Sequence, residues 1–186
     1  MLAHAESQRV EGYALLGDFV GYGADPAWVV DKARELVAAG AVAVQGNHDE
    51  ATVQGASPGM RSEPRQVIDW TRAQLDAAQL GFLQRLPFEV HRGDVLYVHA
   101  NAWDPPGWEY IMSRGDAARS IAAAAARVTF CGHMHEPALY RMADDGRVWE
   151  HAPPSGDVTA LRAPSRWLVV PGSAGQPRDG NPAAGY

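Results

Sequence analysis

Four apolar runs, residues 13–16, 41–44, 95–98 and 127–130, each stop where polar side chains begin. The polar clusters that follow are Gly17-Asp18, Gly46-Asn47-His48-Asp49, His99-Ala100 and Cys131-Gly132-His133-Met134-His135. Runs of this length, rich in Val, Leu and Tyr, predict short buried strands that end at the polar groups. Rigid strand ends are where open α/β architectures hold their ligands. Between the strands the period changes. Residues 26–39 predict an amphipathic helix with Pro26 in its first turn and Gly40 as its stop. Residues 64–75 and 76–86 predict two more helices, residues 2–10 the end of another, and the alanine-rich stretch 121–126 a further one. A hairpin is expected where residues 88–91 and 95–99 flank Arg92-Gly93-Asp94. Strands 138–142 and 148–151 are expected to join through Asp144-Asp145-Gly146, and 167–170 to form the last strand. The Ser-, Pro- and Gly-rich stretch 57–65 reads as an exposed connector. Helices and strands alternate without an internal repeat, which predicts an α/β class in a single domain spanning residues 1–186.

Composition narrows this picture. A hydrophobic fraction of 46% with 20% charged residues is globular, and no stretch approaches the roughly 20 apolar residues of a membrane span. Residues 1–10 carry His4, Glu6 and Arg9 and lack the apolar centre of a secretory signal, so a cytoplasmic location is expected. The single cysteine, Cys131, has no partner for an internal disulfide and fits a reducing compartment. A formal charge of −6 without a Lys/Arg block argues against a binder of duplex nucleic acid. It leaves room for a small phosphorylated substrate, because divalent cations in an acidic cleft invert the local potential.

Taken singly, the clusters are weak signals. Gly17-Asp18 is a turn, and Gly46-Asn47-His48-Asp49 also reads as a tight turn after a strand. If residues 133–135 are extended, period-two spacing points His133 and His135 to one side, an arrangement that suits a metal. His99 alone reads as a hydrogen-bonded core histidine. Jointly, one Asp, one Asn and three His at successive strand ends point to a hydrolytic metal site. Oxygen donors with neutral imidazoles suit Mn²⁺, Fe or Zn²⁺.

The ordered set Gly17-Asp18-Phe19-Val20-Gly21-Tyr22-Gly23, Gly46-Asn47-His48-Asp49, Val98-His99, Gly132-His133-Met134-His135 and Pro171-Gly172-Ser173 resembles the calcineurin-like metallophosphoesterases, nearest their bacterial phosphodiesterase-like branch. The resemblance implies a four-layer α/β/β/α sandwich of two mixed sheets flanked by helices. It implies two divalent ions about 3.5–4 Å apart, with Mn²⁺ foremost and Fe, Zn²⁺ or Ni²⁺ as alternatives. Asp18 bridges them, Asn47, His99 and His133 complete the second ion's ligands, and His135 faces the first. A metal-bridging hydroxide is then the nucleophile on phosphorus. By the same resemblance His48 contacts the phosphate or protonates the leaving oxygen, and Asp49 orients the His48 ring.

The chain departs from the family pattern in two places. The Asp-x-His motif that opens the family is absent, and seventeen residues precede Asp18; His4 lies in a helical stretch and is expected on the surface. On this reading the domain is truncated at both ends, lacking the first strand and C-terminal strand structure. The first ion then keeps only Asp18 and His135. A fragment of an active enzyme is favoured over a catalytically impaired scaffold that binds metal or a partner protein. Second, Gly21-Tyr22-Gly23 stands where protein serine/threonine phosphatases carry Asp-Arg-Gly. Tyrosine lacks the bidentate fork of a guanidinium, so a phosphodiesterase or small-molecule phosphatase is favoured over a protein phosphatase. Arg178 and Tyr22 are the candidate substrate contacts, although for Arg178 an exposed tail arginine is the favoured reading. Trp103, Trp108 and Tyr110 in the Pro105-Pro106-Gly107 loop either cover the metals or form a packing cluster, and packing is favoured. Cys131 is expected to be a small core residue, and His91 and His151 structural or exposed.

Overall fold

A computed structural model describes residues 1–56, 61–153, 156 and 158–186. Its first sheet is a parallel pair, β1 (Ala14–Leu15) against β2 (Val42–Ala43), in register Ala14 to Val42. Each strand has two residues instead of the expected four, because the polar ends bend away at once to form the site. The crossover between them is α2 (Pro26–Ala38), which follows the short helix α1 (Leu2–Ser7). Pro26 opens α2, where its missing N–H costs nothing, and the helix buries Val30 and Ala33. Its end is a Schellman turn: Ala41 N–H donates to Leu36 at 2.9 Å and Gly40 N–H to Val37 at 3.0 Å, with Gly40 at φ +103°. That conformation is why glycine stops this helix.

The second sheet has six strands in the order β3-β4-β5-β8-β6-β7 and mixed pairing. β3 (Glu89–Arg92) and β4 (Val95–Val98) form the expected hairpin. β5 (Val128–Phe130) runs parallel to β4 and to β8 (Arg166–Val170), while β6 (Ala138–Met142) runs antiparallel to both β8 and β7 (Val148–His151). The α/β class with two sheets and flanking helices is what the chain adopts. Helices α3 (Asn47–Gln54), α4 (Ser62–Ala73) and α5 (Ala77–Gln84) pack beside α2 around the first sheet, and α6 (Arg114–Ala123) covers the second.

Three expectations are corrected. The Gly46–Asp49 segment is no tight turn, because it opens α3. The alanine-rich helix starts at Arg114, capped by Ser113 Oγ, and stops at Ala123. Arg166 takes the carbonyls of Ala124 and Ala126, which holds that stretch out of the helix. The connector expected over 57–65 ends sooner, since α4 already begins at Ser62; residues 57–60 lie outside the described residues. α5 follows its prediction, with Asp76 and Gln79 exchanging side chain-to-backbone hydrogen bonds at 2.7 and 2.9 Å.

One apolar cluster, with Val20, Val30, Leu75 and Leu83, lies under the first sheet. A second, with Leu96, Val98, Ile121, Leu168 and Val170, lies between the second sheet and α6. The two halves meet at a polar seam. Buried Gln45, just after β2, donates its backbone N–H to Pro87 at 2.8 Å and its Nε2 to Leu83 at 2.7 Å. Gly132 N–H donates to the His99 carbonyl at 2.8 Å, which ties the ends of β4 and β5 together. The ends of β1, β2, β4 and β5 therefore come to one place.

Candidate metal centre

The first sheet contributes the oxygens. Gly17 (φ +87°) and Asp18 (φ +56°) both adopt left-handed backbone, a conformation an aspartate holds only when its surroundings impose it. The imposing group is Asp49, fully buried at the third position of α3. Its Oδ2 accepts N–H bonds from Asp18 and Gly46 and its Oδ1 accepts one from Phe19, all at 2.9 Å. Asp18 Oδ1 accepts the His48 N–H at 3.0 Å, so its carboxylate lies at the positive end of α3. Glycine is required at 46 because a Cβ there would fall 2.2 Å from Asp18 Oδ1. At position 17 a Cβ would fall 2.7 Å from His99 Nδ1.

The second sheet contributes the nitrogens. His99, 2% exposed, donates Nδ1–H to the Leu16 carbonyl at 2.6 Å. His133 donates Nε2–H to the Trp108 carbonyl at 3.0 Å, and His135 donates Nδ1–H to the Gln176 carbonyl at 2.8 Å. Each imidazole therefore turns a bare lone pair the other way. His99 Nε2 lies 3.1 Å from Asn47 Oδ1, 3.1 Å from His133 Nδ1 and 3.5 Å from Asp18 Oδ2. The ligand atoms of Asp18, His99 and His133 fall within 4.8 Å of one another. Asp18 Oδ2 is buried and has no hydrogen-bond partner among the described residues. Four acceptor atoms facing one another without a proton repel; a cation in their midst removes the repulsion. The residues fit a divalent ion.

Electrostatics agree. Burial lowers the pKa of His99 to about 4, and burial with the adjacent His99 does the same to His133, so both rings are neutral at pH 7. Burial raises the Asp18 carboxyl above its usual range, against the pull of His48. Asp49 stands well above the carboxylate range, raised by burial and then by Asp18. A dication at Asp18 Oδ2 would reverse the first of these shifts.

The structure brings together every residue predicted for the site, though two relations differ from expectation. Asp49 was expected to orient the His48 ring. Neighbours on a helix face different ways, and both Asp49 oxygens are taken by backbone N–H groups. The segment 133–135 is not extended. His133 (φ +64°) is the centre of a γ-turn closed by Met134 N–H to Gly132 at 2.7 Å, and His135 has φ +60°. The two rings therefore part: His133 joins the donor cluster, while His135 packs 5.0 Å from the Tyr22 ring. His48 lies 4.4 Å from the same tyrosine ring, and burial lowers its pKa. Arg178 leaves the tail to donate to the Tyr22 hydroxyl at 3.4 Å.

The aromatic loop divides. Trp103 packs on the core, as favoured, and takes the Arg119 guanidinium on its face at 4.5 Å. Trp108 and Tyr110 belong to the site. Tyr110 stacks on His133 with centroids 4.0 Å apart, and Trp108 Nε1 donates to Glu50 Oε2 at 2.9 Å. Buried Asn101 shapes the loop, accepting N–H bonds from Trp103 and Asp104 and donating to the Glu109 carbonyl at 2.9 Å. Sequence reasoning missed Glu50, Asn101 and the carbonyls of Leu16, Trp108 and Gln176. Cys131 is buried with its thiol pushed up to about 12, an inert core residue, while His4, His91 and His151 are exposed.

A domain description of the calcineurin-like phosphoesterase superfamily matches residues 1–186. The chain belongs to that superfamily of metal-dependent hydrolases of phosphate esters. It is 36% identical to a crystallised metallophosphoesterase from Sphaerobacter thermophilus, with a TM-score of 0.83 over 98% of this chain and 75% of that one. It is 32% identical to the uncharacterized protein MJ0912 of Methanocaldococcus jannaschii, across 100% of this chain and 74% of that protein. The hypothetical protein PH1004 of Pyrococcus horikoshii shares the fold at 13% identity, with a TM-score of 0.67 over 92% of this chain and 68% of that one. Among the described residues no helix is long and apolar enough to cross a membrane.

Proposed function

We propose that this protein hydrolyses a small phosphorylated molecule in the cytoplasm, as a phosphodiesterase or small-molecule phosphatase, with Mn²⁺ as its metal. One observation carries the reading: Asp18 Oδ2, Asn47 Oδ1, His99 Nε2 and His133 Nδ1 point at a common centre, with the N–H of each ring already bonded to a carbonyl. Those four residues would hold an ion, and His135, its Nδ1–H bonded to the Gln176 carbonyl, keeps Nε2 free for a second one. The metal, when bound, supplies Lewis acidity that polarises a phosphoryl oxygen and acidifies the attacking water. The chain's own residues do the rest. His48, lowered below its ordinary pKa by burial, is neutral at pH 7 and presents an N–H to a phosphate oxygen. Tyr22, raised to about 12 by burial and then by Asp18, keeps its hydroxyl proton and closes one side of the site. The part of Asp49 is to fix the backbone that aims Asp18 and His48.

The test is hydrolysis of p-nitrophenyl phosphate and bis(p-nitrophenyl) phosphate with and without added Mn²⁺. Turnover that needs the metal and disappears in Asp18→Ala and His133→Ala supports the proposal. A protein whose melting temperature rises with Mn²⁺ but which turns over neither ester is a metal-binding scaffold instead.

A further inference from the structure

Arg178 lies close enough to the donor cluster to act electrostatically on Asp18 and His133, and among the described residues no carboxylate makes an ion pair with it. Its neighbour Asp179 accepts the Asn181 N–H at 3.1 Å instead. The Arg178 guanidinium makes a long 3.4 Å bond to the Tyr22 hydroxyl and also interacts with Tyr110. These rings flank the donor cluster, Tyr22 against His48 and His135, Tyr110 stacked on His133. The backbone fixes the arrangement: Arg178 N–H donates to the His135 carbonyl at 3.0 Å, and Gln176, two residues back, receives the His135 ring. The segment that orients a ligand histidine thus carries an exposed, unneutralised guanidinium to the mouth of the centre.

We propose that Arg178, bridging Tyr22 and Tyr110, is a phosphate clamp that makes this site favour phosphomonoesters over diesters; this rests on the hydrolytic reading above. Neutral hydroxyls hold the fork in place without cancelling its charge, so an anion displaces them readily. A monoester has three non-bridging oxygens and carries close to two charges at neutral pH. With one oxygen turned to the Asp18, Asn47, His99 and His133 cluster, two remain for a bidentate guanidinium contact. A diester has two such oxygens and one charge, so it offers the fork a single oxygen.

The experiment is calorimetric titration of the Mn²⁺-loaded protein with inorganic phosphate and with dimethyl phosphate, for the wild type, Arg178→Gln and Arg178→Lys, beside a Mn²⁺ titration of each. Arg178→Gln should weaken phosphate about 10- to 100-fold, as expected for losing a bidentate charged contact. Dimethyl phosphate, which loses one such contact instead of two, should weaken less than phosphate does, and Mn²⁺ affinity should stay unchanged. Arg178→Lys keeps the charge but loses the fork, so it should recover part of the phosphate affinity. The ratio of kcat/KM for p-nitrophenyl phosphate to that for its bis ester should fall in Arg178→Gln. Equal weakening of the two anions, or none, overturns the clamp even where both esters are hydrolysed. Arg178-dependent phosphate binding by a wild type that hydrolyses neither ester supports the clamp and overturns the hydrolytic reading.

Discussion

The oxygen half and the nitrogen half of the centre are fixed by opposite hydrogen-bond schemes. Asp18 and Asn47 follow strands of the two-stranded sheet, and the loops that carry them are held by one buried carboxylate, Asp49, which gathers three backbone N–H groups from two segments. His99 and His133 follow strands of the six-stranded sheet, and separate backbone carbonyls fix each ring by accepting its N–H. The first half depends on a single side chain, the second on dispersed backbone. Damage should accordingly be global in the first half and local in the second.

The largest effect tests that difference. Asp49→Ala leaves three N–H groups without their acceptor, at about 1–3 kcal/mol each where no water replaces it. The expected loss is about 3–5 kcal/mol in urea unfolding of the metal-free protein, with Mn²⁺ binding lost as well. Asp49→Asn, which keeps one acceptor oxygen, should lose less. His99→Ala should remove the metal-dependent stabilisation, about 2.7 kcal/mol in the wild type at a metal concentration 100 times Kd, while the metal-free protein still folds cooperatively. An Asp49→Ala protein as stable as His99→Ala would break the comparison.

Gly46→Ala probes the seam between the halves. Its Cβ would meet Asp18 Oδ1 and the Asp18 N at 2.2 and 2.4 Å, so the carboxylate must move or the helix start must shift. Overpacking of this kind costs about 1–3 kcal/mol. Mn²⁺ affinity should fall by more than the change in melting temperature of the metal-free protein suggests, because the displaced group is a proposed ligand.

This seam also shows what the sequence could reveal. Metal-binding residue types at strand ends were legible, because a strand end is marked by the switch from apolar to polar side chains; the particular set Asp18, Asn47, His99 and His133 was implied by the family resemblance, and the structure brings those four together. The task of Asp49 was not legible, since residue type alone does not tell a carboxylate that binds backbone from one that binds imidazole. Its place three residues after Gly46, the usual position for an acidic residue that accepts the N-cap N–H, was the available signal for helix α3. The carbonyls of Leu16, Trp108 and Gln176 left no signal, because every residue has one. Arg178 was ambiguous for another reason: a contact 156 residues away from Tyr22 depends on the whole fold.

The two halves should also respond to acid with opposite sign. His99 and His133 have native pKa values of about 4 against 6.5 when unfolded, so between those limits the unfolded chain binds more protons and stability falls as the pH is lowered. Asp18 and Asp49 have raised native pKa values, so the native state takes up protons first and stability gains as the pH falls towards 3.8. In a metal-free series, the stability of wild type relative to His133→Asn should decline from pH 6.5 to about 4. A constant difference across that window would mean that His133 is not held neutral by burial.

The smallest effect concerns how firmly the nitrogen half is held at its outer edge. Trp108 presents its carbonyl to His133 from a left-handed backbone (φ +55°), and its ring is anchored by the Nε1–H bond to Glu50 on α3. Glu50→Gln keeps an acceptor oxygen but removes the charge, so the bond weakens without disappearing, at a cost of about 1 kcal/mol or less. Glu50→Ala removes it and should let the loop and His133 fluctuate. Because the other N–H contacts of the centre are untouched, the melting temperature should move by a few degrees at most. Mn²⁺ should then dissociate faster from Glu50→Ala than from Glu50→Gln, and faster from Glu50→Gln than from wild type. Stopped-flow chelation measures that order. Equal dissociation rates in all three would show that the Trp108 carbonyl fixes His133 without help from Glu50 on α3.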